Sequence, residues 1–167
     1  MKKTGKYFGS RGFQRRSVNS QGMTLVEILV TVGILVITMA GVLQVFIFCS
    51  KLSDASHEVT LAMAEAQGKL DEIRDHSFSQ VPTDYALGGT PGNTFNLSQL
   101  TGKGVIYINA ANPNLLEIDV VVHWRSGDNR MIGEDSDLDG ILDSGEDING
   151  NGRLDSIARL VTLVAER

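Results

Sequence analysis

Residues 22–50 read GMTLVEILVTVGILVITMAGVLQVFIFCS, and no charged residue occurs from Ile28 to Ser50. A helix of about 20 apolar residues, at about 1.5 Å per residue, spans the roughly 30 Å hydrocarbon core of a bilayer. A cleaved secretory signal fits poorly, because its apolar region has only about 7–15 residues and ends at a small-residue cleavage site. The run therefore predicts a single membrane-spanning helix.

Charge is distributed unevenly along the chain. Residues 1–22 contain six basic residues and no acid, so this segment carries +6 and, with a whole-chain charge of −5, the remainder carries −11. The six basic residues are Lys2, Lys3, Lys6, Arg11, Arg15 and Arg16. A basic segment before an apolar helix indicates a cytoplasmic N terminus. Because phosphate-binding surfaces need clustered Lys and Arg, the acidic remainder argues against a nucleic-acid partner.

Glu27 is the one charged residue between Met23 and Cys49. A carboxylate near the start of a membrane span is costly unless it is paired, which favours a functional role. Alternatively, Glu27 lies at the membrane interface, where the positive end of the helix dipole favours an anion. The physics of the sequence leaves both readings open. The single cysteine, Cys49, forms no intramolecular disulfide and reads as a small apolar helix residue.

Residues 22–30, GMTLVEILV, resemble the signature of type IV prepilins. That family has a short basic leader ending in Gly, then an apolar residue and Thr-Leu-x-Glu at the start of a long apolar helix. The resemblance covers roughly residues 16–50, with Met23 in place of the commoner Phe. It implies that a prepilin peptidase cleaves after Gly22 and methylates the new N terminus at Met23. It also implies that Glu27 attracts the N-terminal amine of a neighbouring subunit during assembly.

The helical pattern continues beyond the apolar run to about His76, before Pro82. Apolar residues recur at steps of three and four, which makes one stripe along an amphipathic helix. The stripe consists of Leu52, Ala55, Val59, Ala62, Ala66, Leu70 and Ile73. Residues 64–74 also resemble minor pilins of PilV type and minor type II secretion pseudopilins of GspI type. The resemblance implies a pilin-like fold, in which the amphipathic half of the helix packs on a globular head.

The head is predicted to be a small antiparallel sheet, which gives an α+β protein. Residues 79–104 contain most of the turn signals and read as a connecting loop with at most a short strand. Strands are predicted at 105–109, 115–125 and 157–165. The central one alternates Ile118, Val120, Val122 and Trp124 with Glu117, Asp119, Val121 and His123, which predicts one core face and one wetter face. Trp124 is expected in the core.

The predicted organisation has four parts. A basic leader occupies residues 1–22, and the membrane and polymerisation half of the helix occupies residues 23–50. The amphipathic half follows at 51–78, and the β head at 79–167. A calcium-loop insertion is expected within the head at 134–155.

Residues 135–146 read DSDLDGILDSGE and fit the calcium-loop pattern D-x-D-x-D-G-x5-E. Calcium takes six to eight oxygen ligands, and the glycine at position six permits the sharp turn that such a loop needs. The predicted ligands are Asp135, Asp137, Asp139, the Ile141 carbonyl oxygen, Asp143 (directly or through water) and a bidentate Glu146. The loop resembles those of EF-hands and of the calcium repeats of extracellular bacterial proteins. We expect the bound calcium to order this segment and stabilise the head.

A second copy of the pattern begins at once. The equivalent positions hold Asp147, Asn149, Asn151, Arg153 and Asp155. Its twelfth position is Ala158, so a second ion has a weaker ligand set unless Glu146 or Asp147 is shared. The alternative is a solvated acidic loop without metal. However, eight acids and one base between residues 134 and 155 repel one another unless a cation neutralises them.

The leading functional hypothesis is a structural subunit of the bacterial inner membrane, with a cytoplasmic leader and a periplasmic or extracellular head. Its expected partners are prepilin peptidase, other pilin or pseudopilin subunits, the inner-membrane assembly platform and membrane lipid. Type IV pilus and type II secretion pseudopilus remain alternatives. A second hypothesis is a membrane-anchored, calcium-dependent extracellular binding or adhesion module. An enzyme is not expected, because the three histidines are dispersed and no nucleophile motif or phosphate loop occurs.

Overall fold

The computed structural model describes residues 22–166, and the protein divides into two compact units, Met1–Val45 and Phe46–Arg167. The predicted leader lies outside the described residues, apart from its last residue, Gly22. Helix α1 begins at Leu25 and ends at Asp75. Its bounds confirm the predicted long helix to within two residues at each end.

In the first unit, α1 exposes its apolar side chains from Leu25 to Val45. An 18-residue window has a mean hydropathy of 2.5 and none of it is buried. The hydroxyls of Thr31 and Thr38 donate to the carbonyl oxygens of Ile28 and Leu35 at 2.9 Å, so these polar groups are satisfied within the helix. Among the described residues, α1 is the one helix that is long and apolar enough to cross a membrane.

In the second unit, the rest of α1 packs on a sheet. Ala62, Ala66, Leu70 and Ile73 are buried at steps of four, four and three, which places them on one face of the helix. The predicted apolar stripe is therefore confirmed over its second half. Leu52, by contrast, is 58% exposed.

The sheet has five strands, and all of its pairings are antiparallel. The strands are β1 (Thr94–Asn96), β2 (Gly102–Asn112), β3 (Leu115–Arg125), β4 (Met131–Ile132) and β5 (Ala158–Ala165). β3 is central: β2 pairs with one side of it, β4 and β5 pair with the other, and β1 pairs with the far side of β2. The predicted layout, a helix packed on a small antiparallel sheet, is confirmed.

The turn-rich segment 79–104 holds more structure than the sequence predicted. It contains the short helix α2 (Val81–Asp84) and β1, and β2 begins within it at Gly102. Tyr85, just after α2, is buried against the core, and its hydroxyl donates to Glu72 on α1 at 3.4 Å. Tyr85 contacts α1, β1 pairs with β2, and Gly102 of β2 pairs with Trp124 of β3. A local count of turn residues does not register such contacts.

Two carboxylates of α1 dock the helix on the head. Glu65 accepts hydrogen bonds from the Ser98 amide (2.9 Å), the Ser98 hydroxyl (2.6 Å) and the Gln99 amide (2.9 Å). Glu58 accepts from Trp124 Nε1 at 3.2 Å and from the Gly127 amide at 3.1 Å. Burial opposes ionisation of both groups, but the hydrogen bonds outweigh it and lower the pKa of each below its ordinary value.

β3 is buried on both faces. Ile118, Val120, Val122 and Trp124 face α1 and form the core, as the alternation predicted. The prediction of a wetter opposite face is wrong, because Asp119, Val121 and His123 are also buried. The segment 133–157, which we call the insertion, lies over that face: Gly133 contacts the His123 ring, and Arg153 lies 3.5 Å from the Asp119 carboxylate. Local alternation carries no information about such a covering segment.

The insertion interrupts a single strand. Ile132 pairs with Trp124 of β3, and Ala158 pairs with Val122, so only His123 separates the two pairs on β3. An uninterrupted strand would place residue 134 opposite Val122, whereas residue 158 lies there. β4 and β5 are therefore two parts of one edge strand into which 24 residues are inserted.

Candidate functional site

The insertion is closed at its base by its own ends. The Glu134 amide donates to the Asp155 carbonyl oxygen, and the Asp155 amide donates to a Glu134 carboxylate oxygen, both at 2.9 Å. Farther along, the Leu154 amide donates to the Tyr107 hydroxyl at 2.9 Å, and the Leu154 side chain is fully buried. A 25-residue excursion (133–157) is thus attached to the sheet rather than extended into solvent.

The first predicted calcium loop turns its carboxylates inward by bonding its own backbone. Asp135 accepts from the amides of Asp139 (3.2 Å) and Gly140 (2.9 Å). Asp137 accepts from the Asp139 amide at 3.2 Å, and Asp139 accepts from the Ile141 amide at 2.7 Å. Gly140 has φ +80°, a left-handed conformation that favours glycine. The sharp turn expected at position six is present.

The carboxylates of Asp135, Asp137 and Asp139 converge. One oxygen of each lies within 4.8 Å of the others, close enough to share one metal ion. Asp135 is fully buried, and burial raises its pKa, with the Gly140 amide the largest opposing influence. A hard cation beside these oxygens would favour the ionised carboxylate and remove part of the cost of burying it.

Glu146 and Asp143, also predicted as ligands, lie outside this group. Glu146 accepts from the Ser136 amide and hydroxyl at 2.7 Å and from the Asp143 amide at 3.1 Å. Hydrogen bonding from the Ser136 hydroxyl is the main reason that the pKa of Glu146 is lowered. The Glu146 carboxylate therefore closes the loop onto its own beginning, next to Asp135.

The second loop repeats the backbone geometry of the first. Asp147 accepts from the Asn151 and Gly152 amides at 2.9 Å, Asn149 accepts from the Asn151 amide at 3.0 Å, and Asn151 accepts from the Arg153 amide at 2.8 Å. These four bonds join the same loop positions as those of Asp135, Asp137 and Asp139. Positions four and six are left-handed in both loops, with Leu138 and Gly140 in one and Gly150 and Gly152 in the other.

The predicted metal ligands of the second loop form hydrogen bonds with one another. Asp155 accepts from the side-chain amides of Asn149 (2.8 Å) and Asn151 (2.5 Å). The hydrogen bond from Asn149 is the largest influence that lowers the pKa of Asp155. The oxygens in both loops are hard donors of the type that calcium and magnesium prefer. The residues present therefore fit a hard cation, with the fuller carboxylate set in the first loop.

A half-buried ion pair joins β3 to β5, and the second loop contacts both of its residues through Arg153 and Asp155. Asp119 on β3 accepts from Arg159 Nε at 3.0 Å and from another guanidinium nitrogen of Arg159 at 2.7 Å. Arg153 of the second loop adds a contact to Asp119 at 3.5 Å. The hydrogen bonds from Arg159 to Asp119 raise the pKa of the guanidinium further. The sequence analysis did not predict the pairing of Asp119 with Arg159. The usable signal was an acidic residue within a strand rich in β-branched residues, together with a basic residue in the predicted last strand.

His123 lies beneath the insertion. Its ring is fully buried, and neither ring nitrogen has a hydrogen-bond partner among the described residues. Burial lowers the pKa of His123, and the carboxylate of Asp135 is the largest opposing influence. We therefore expect the ring to be neutral at pH 7, packed as part of the floor under the first loop.

The start of α1 holds the residues of the predicted processing and assembly site. Gly22 and Met23 are exposed and precede the helix. The Glu27 amide donates to Thr24 Oγ at 3.3 Å, so Thr24 caps the helix. Thr-x-x-Glu is a capping-box signature, which the sequence analysis overlooked. The Glu27 carboxylate makes no hydrogen bond or ion pair with any residue from 22 to 166.

The chain was compared with protein-family models, curated proteins and solved structures. No family model matches it. No curated protein and no solved structure matches it either. The proposed function therefore rests on the fold, on the start of α1 and on the geometry of the insertion.

Proposed function

We propose that this protein is a type IV prepilin-like subunit that is processed after Gly22 and assembles through the apolar half of α1. The observation that carries the proposal is the order Gly22, Met23, Thr24 and Glu27 at the start of a long apolar helix. A β head packed on the second half of that same helix supports it. Minor pilin and type II secretion pseudopilin are the two roles that this arrangement fits.

In this proposal Glu27 is the assembly residue. A carboxylate in the apolar core of a filament needs a cationic partner, and the methylated N-terminal amine of a neighbouring Met23 supplies one. Thr24 satisfies the helix N terminus from its own side chain, which leaves the Glu27 carboxylate available to that partner. Prepilin peptidase, sister subunits and the inner-membrane assembly platform are the partners that follow.

We further propose that calcium binds the first loop and orders the insertion over the sheet. Three converging carboxylates support one ion there. The repeated backbone geometry of the second loop supports a second, weaker site made by Asp147, Asn149, Asn151 and Asp155 with the Arg153 carbonyl oxygen. The role of the metal is structural, because the insertion covers a face of the sheet that includes the buried groups Asp119 and His123.

The deciding experiment is the intact mass of the chain, with peptide mapping, after expression with and without a prepilin peptidase. We expect loss of residues 1–22 and one added methyl group on Met23 only when the peptidase is present. A Gly22→Leu variant, which removes the small residue at the cleavage point, is the matched control and should remain uncut. An uncut wild-type chain would favour the anchored calcium-dependent binding module instead.

A further inference from the structure

A cavity of about 470 Å³ lies between α1 and the turn that joins β3 to β4. We call it the helix–turn cavity. Its volume falls in the range of about 300–1,000 Å³ that is usual for small-molecule sites. The lining residues that matter here are Phe48, Lys51, Leu52 and Asp54 of the helix and Asp128 and Arg130 of the turn.

The walls of the cavity are fixed by hydrogen bonds. Glu58 joins the helix to both Trp124 and the Gly127 amide, at 3.2 and 3.1 Å. Within the turn, the Arg130 amide donates to an Asp128 carboxylate oxygen at 3.3 Å. Because the Glu58 carboxylate is occupied by these bonds, a ligand would meet the remaining charged groups in a preformed cavity.

Apart from Glu58, the charged residues that line the cavity carry equal numbers of positive and negative charges. Lys51 and Arg130 are cations, and Asp54 and Asp128 are anions. Among the described residues, none of the four forms an ion pair within 4.0 Å. Two cations and two anions that line one cavity without pairing with each other suit a ligand that carries both charges.

The ligand also needs an apolar part. Phe48 and Leu52, one helical turn apart, both line the cavity, and they are 67% and 58% exposed. Phe48 belongs to the apolar run, and Lys51 is the first charged residue after it. Along the helix, the cavity therefore begins where the apolar run ends, which is the level at which lipid headgroups meet a membrane protein.

We propose that the helix–turn cavity binds the headgroup of a zwitterionic phospholipid, phosphatidylethanolamine. Lys51 and Arg130 hold its phosphate through charge-assisted hydrogen bonds, and Asp54 and Asp128 hold its primary ammonium. Phe48 and Leu52 contact the start of the acyl chains. Phosphatidylcholine has the same charges, but its quaternary ammonium has no N–H to donate to a carboxylate. This inference rests on the membrane anchor of the proposed function and not on filament assembly.

The test uses the full chain in nanodiscs that contain equal amounts of phosphatidylethanolamine, phosphatidylcholine and phosphatidylglycerol with identical acyl chains. Native mass spectrometry of the released protein identifies the retained lipid from its mass. We expect phosphatidylethanolamine to be retained at least fivefold above the other two lipids. The double variant Lys51→Ala/Arg130→Ala should lose this retention. Lys69→Ala/Arg74→Ala, which removes two cations of the same helix outside the cavity, should preserve it.

A second variant tests the ammonium contact separately. Asp54→Asn/Asp128→Asn leaves a positively charged cavity, so retention should shift from phosphatidylethanolamine towards anionic phosphatidylglycerol. Equal retention of phosphatidylethanolamine by the wild type and Lys51→Ala/Arg130→Ala overturns the proposal, as does a wild type without headgroup preference. Failure of the chain to enter nanodiscs would also contradict the membrane anchor. Co-elution of the chain with the nanodisc tests this outcome independently of lipid retention.

Discussion

The ring of His123 packs directly against the backbone of Gly133, where the edge strand gives way to the insertion. A Cβ atom at Gly133 would lie 2.3 Å from Cδ2 of His123, closer than real Cβ atoms approach other atoms. Gly133 also has φ +105°, a conformation that side chains rarely adopt. A side chain at this position would therefore have to displace the His123 ring, which lies beneath the first loop.

We therefore predict that Gly133→Ala destabilises the head. Gly88→Ala is the matched control, because Gly88 also has positive φ (+79°) but has no atom within 4 Å of the added Cβ. The control should cost about 1 kcal/mol for backbone strain, and Gly133→Ala about 1–3 kcal/mol more for the clash. Chemical unfolding of the purified chain in detergent, followed by Trp124 fluorescence, measures both. Equal losses would mean that the His123 ring moves aside without cost.

Calcium should raise the unfolding temperature of the chelator-treated chain. A ligand present at about 100 times its dissociation constant stabilises the folded state by about 2.7 kcal/mol. Asp135→Asn should abolish most of this gain, because Asp135 is the buried member of the converging carboxylates. Asp128→Asn, which removes an acid outside the insertion, should retain it. Calcium at millimolar concentration that leaves the unfolding temperature of the wild type unchanged would contradict the metal site.

Arg159 should help to hold the insertion on the sheet, because it pairs with Asp119 of β3 at 2.7 Å and with Asp155 of the insertion at 3.4 Å. Arg159→Ala leaves the buried Asp119 carboxylate with only the 3.5 Å contact to Arg153. Because the Arg159 side chain is 40% exposed, solvent screening moderates the loss, and we expect about 1–3 kcal/mol. Limited proteolysis should also cut faster within residues 133–157. Arg125→Ala, an exposed arginine at the end of β3, should change neither measurement.

Glu65 should make the head sensitive to acid. Its folded-state pKa lies below the ordinary value of 4.5, so its contribution to stability is present above that pH and is lost as pH falls through the folded pKa. Glu65→Gln should therefore lower stability at pH 7, and the difference from wild type should shrink towards about pH 3. Asp75→Asn, an exposed acid near the helix end, is the control. A stability difference for Glu65→Gln that is the same at pH 7 and pH 3 would rule out this linkage.

Glu27→Ala should prevent incorporation into filaments while membrane insertion and the folded head remain intact. Thr24→Ala is the control, since it removes the helix cap at a cost of about 1 kcal/mol but keeps the carboxylate. Sheared-filament fractions probed for each variant give the comparison. Loss of incorporation in both variants would assign the effect to helix capping, and normal incorporation of Glu27→Ala would remove the assembly role of Glu27.

Local patterns in the sequence were sufficient for several elements. Helix α1 follows from a continuous apolar run and, beyond it, from apolar residues that recur at steps of three and four. Strand β3 was predicted with its observed bounds, Leu115–Arg125. The left-handed turn at Gly140 falls at the glycine of the calcium-loop pattern, whereas metal binding by this loop stays a prediction. In each case the determining interactions join residues near one another in the chain, or reflect one repeated face.

Pairings between distant residues were decided by the tertiary structure alone. The alternation of β3 predicted one buried face, because alternation records only which side chains are apolar. It does not record that residues 133–157 return to cover Asp119 and His123. The docking bonds of Glu58 and Glu65 likewise join residues at least 33 positions apart. Such contacts depend on strand register and on the path of the chain. The sequence by itself therefore determined α1 and β3, whereas the tertiary structure decided which of their polar groups are buried.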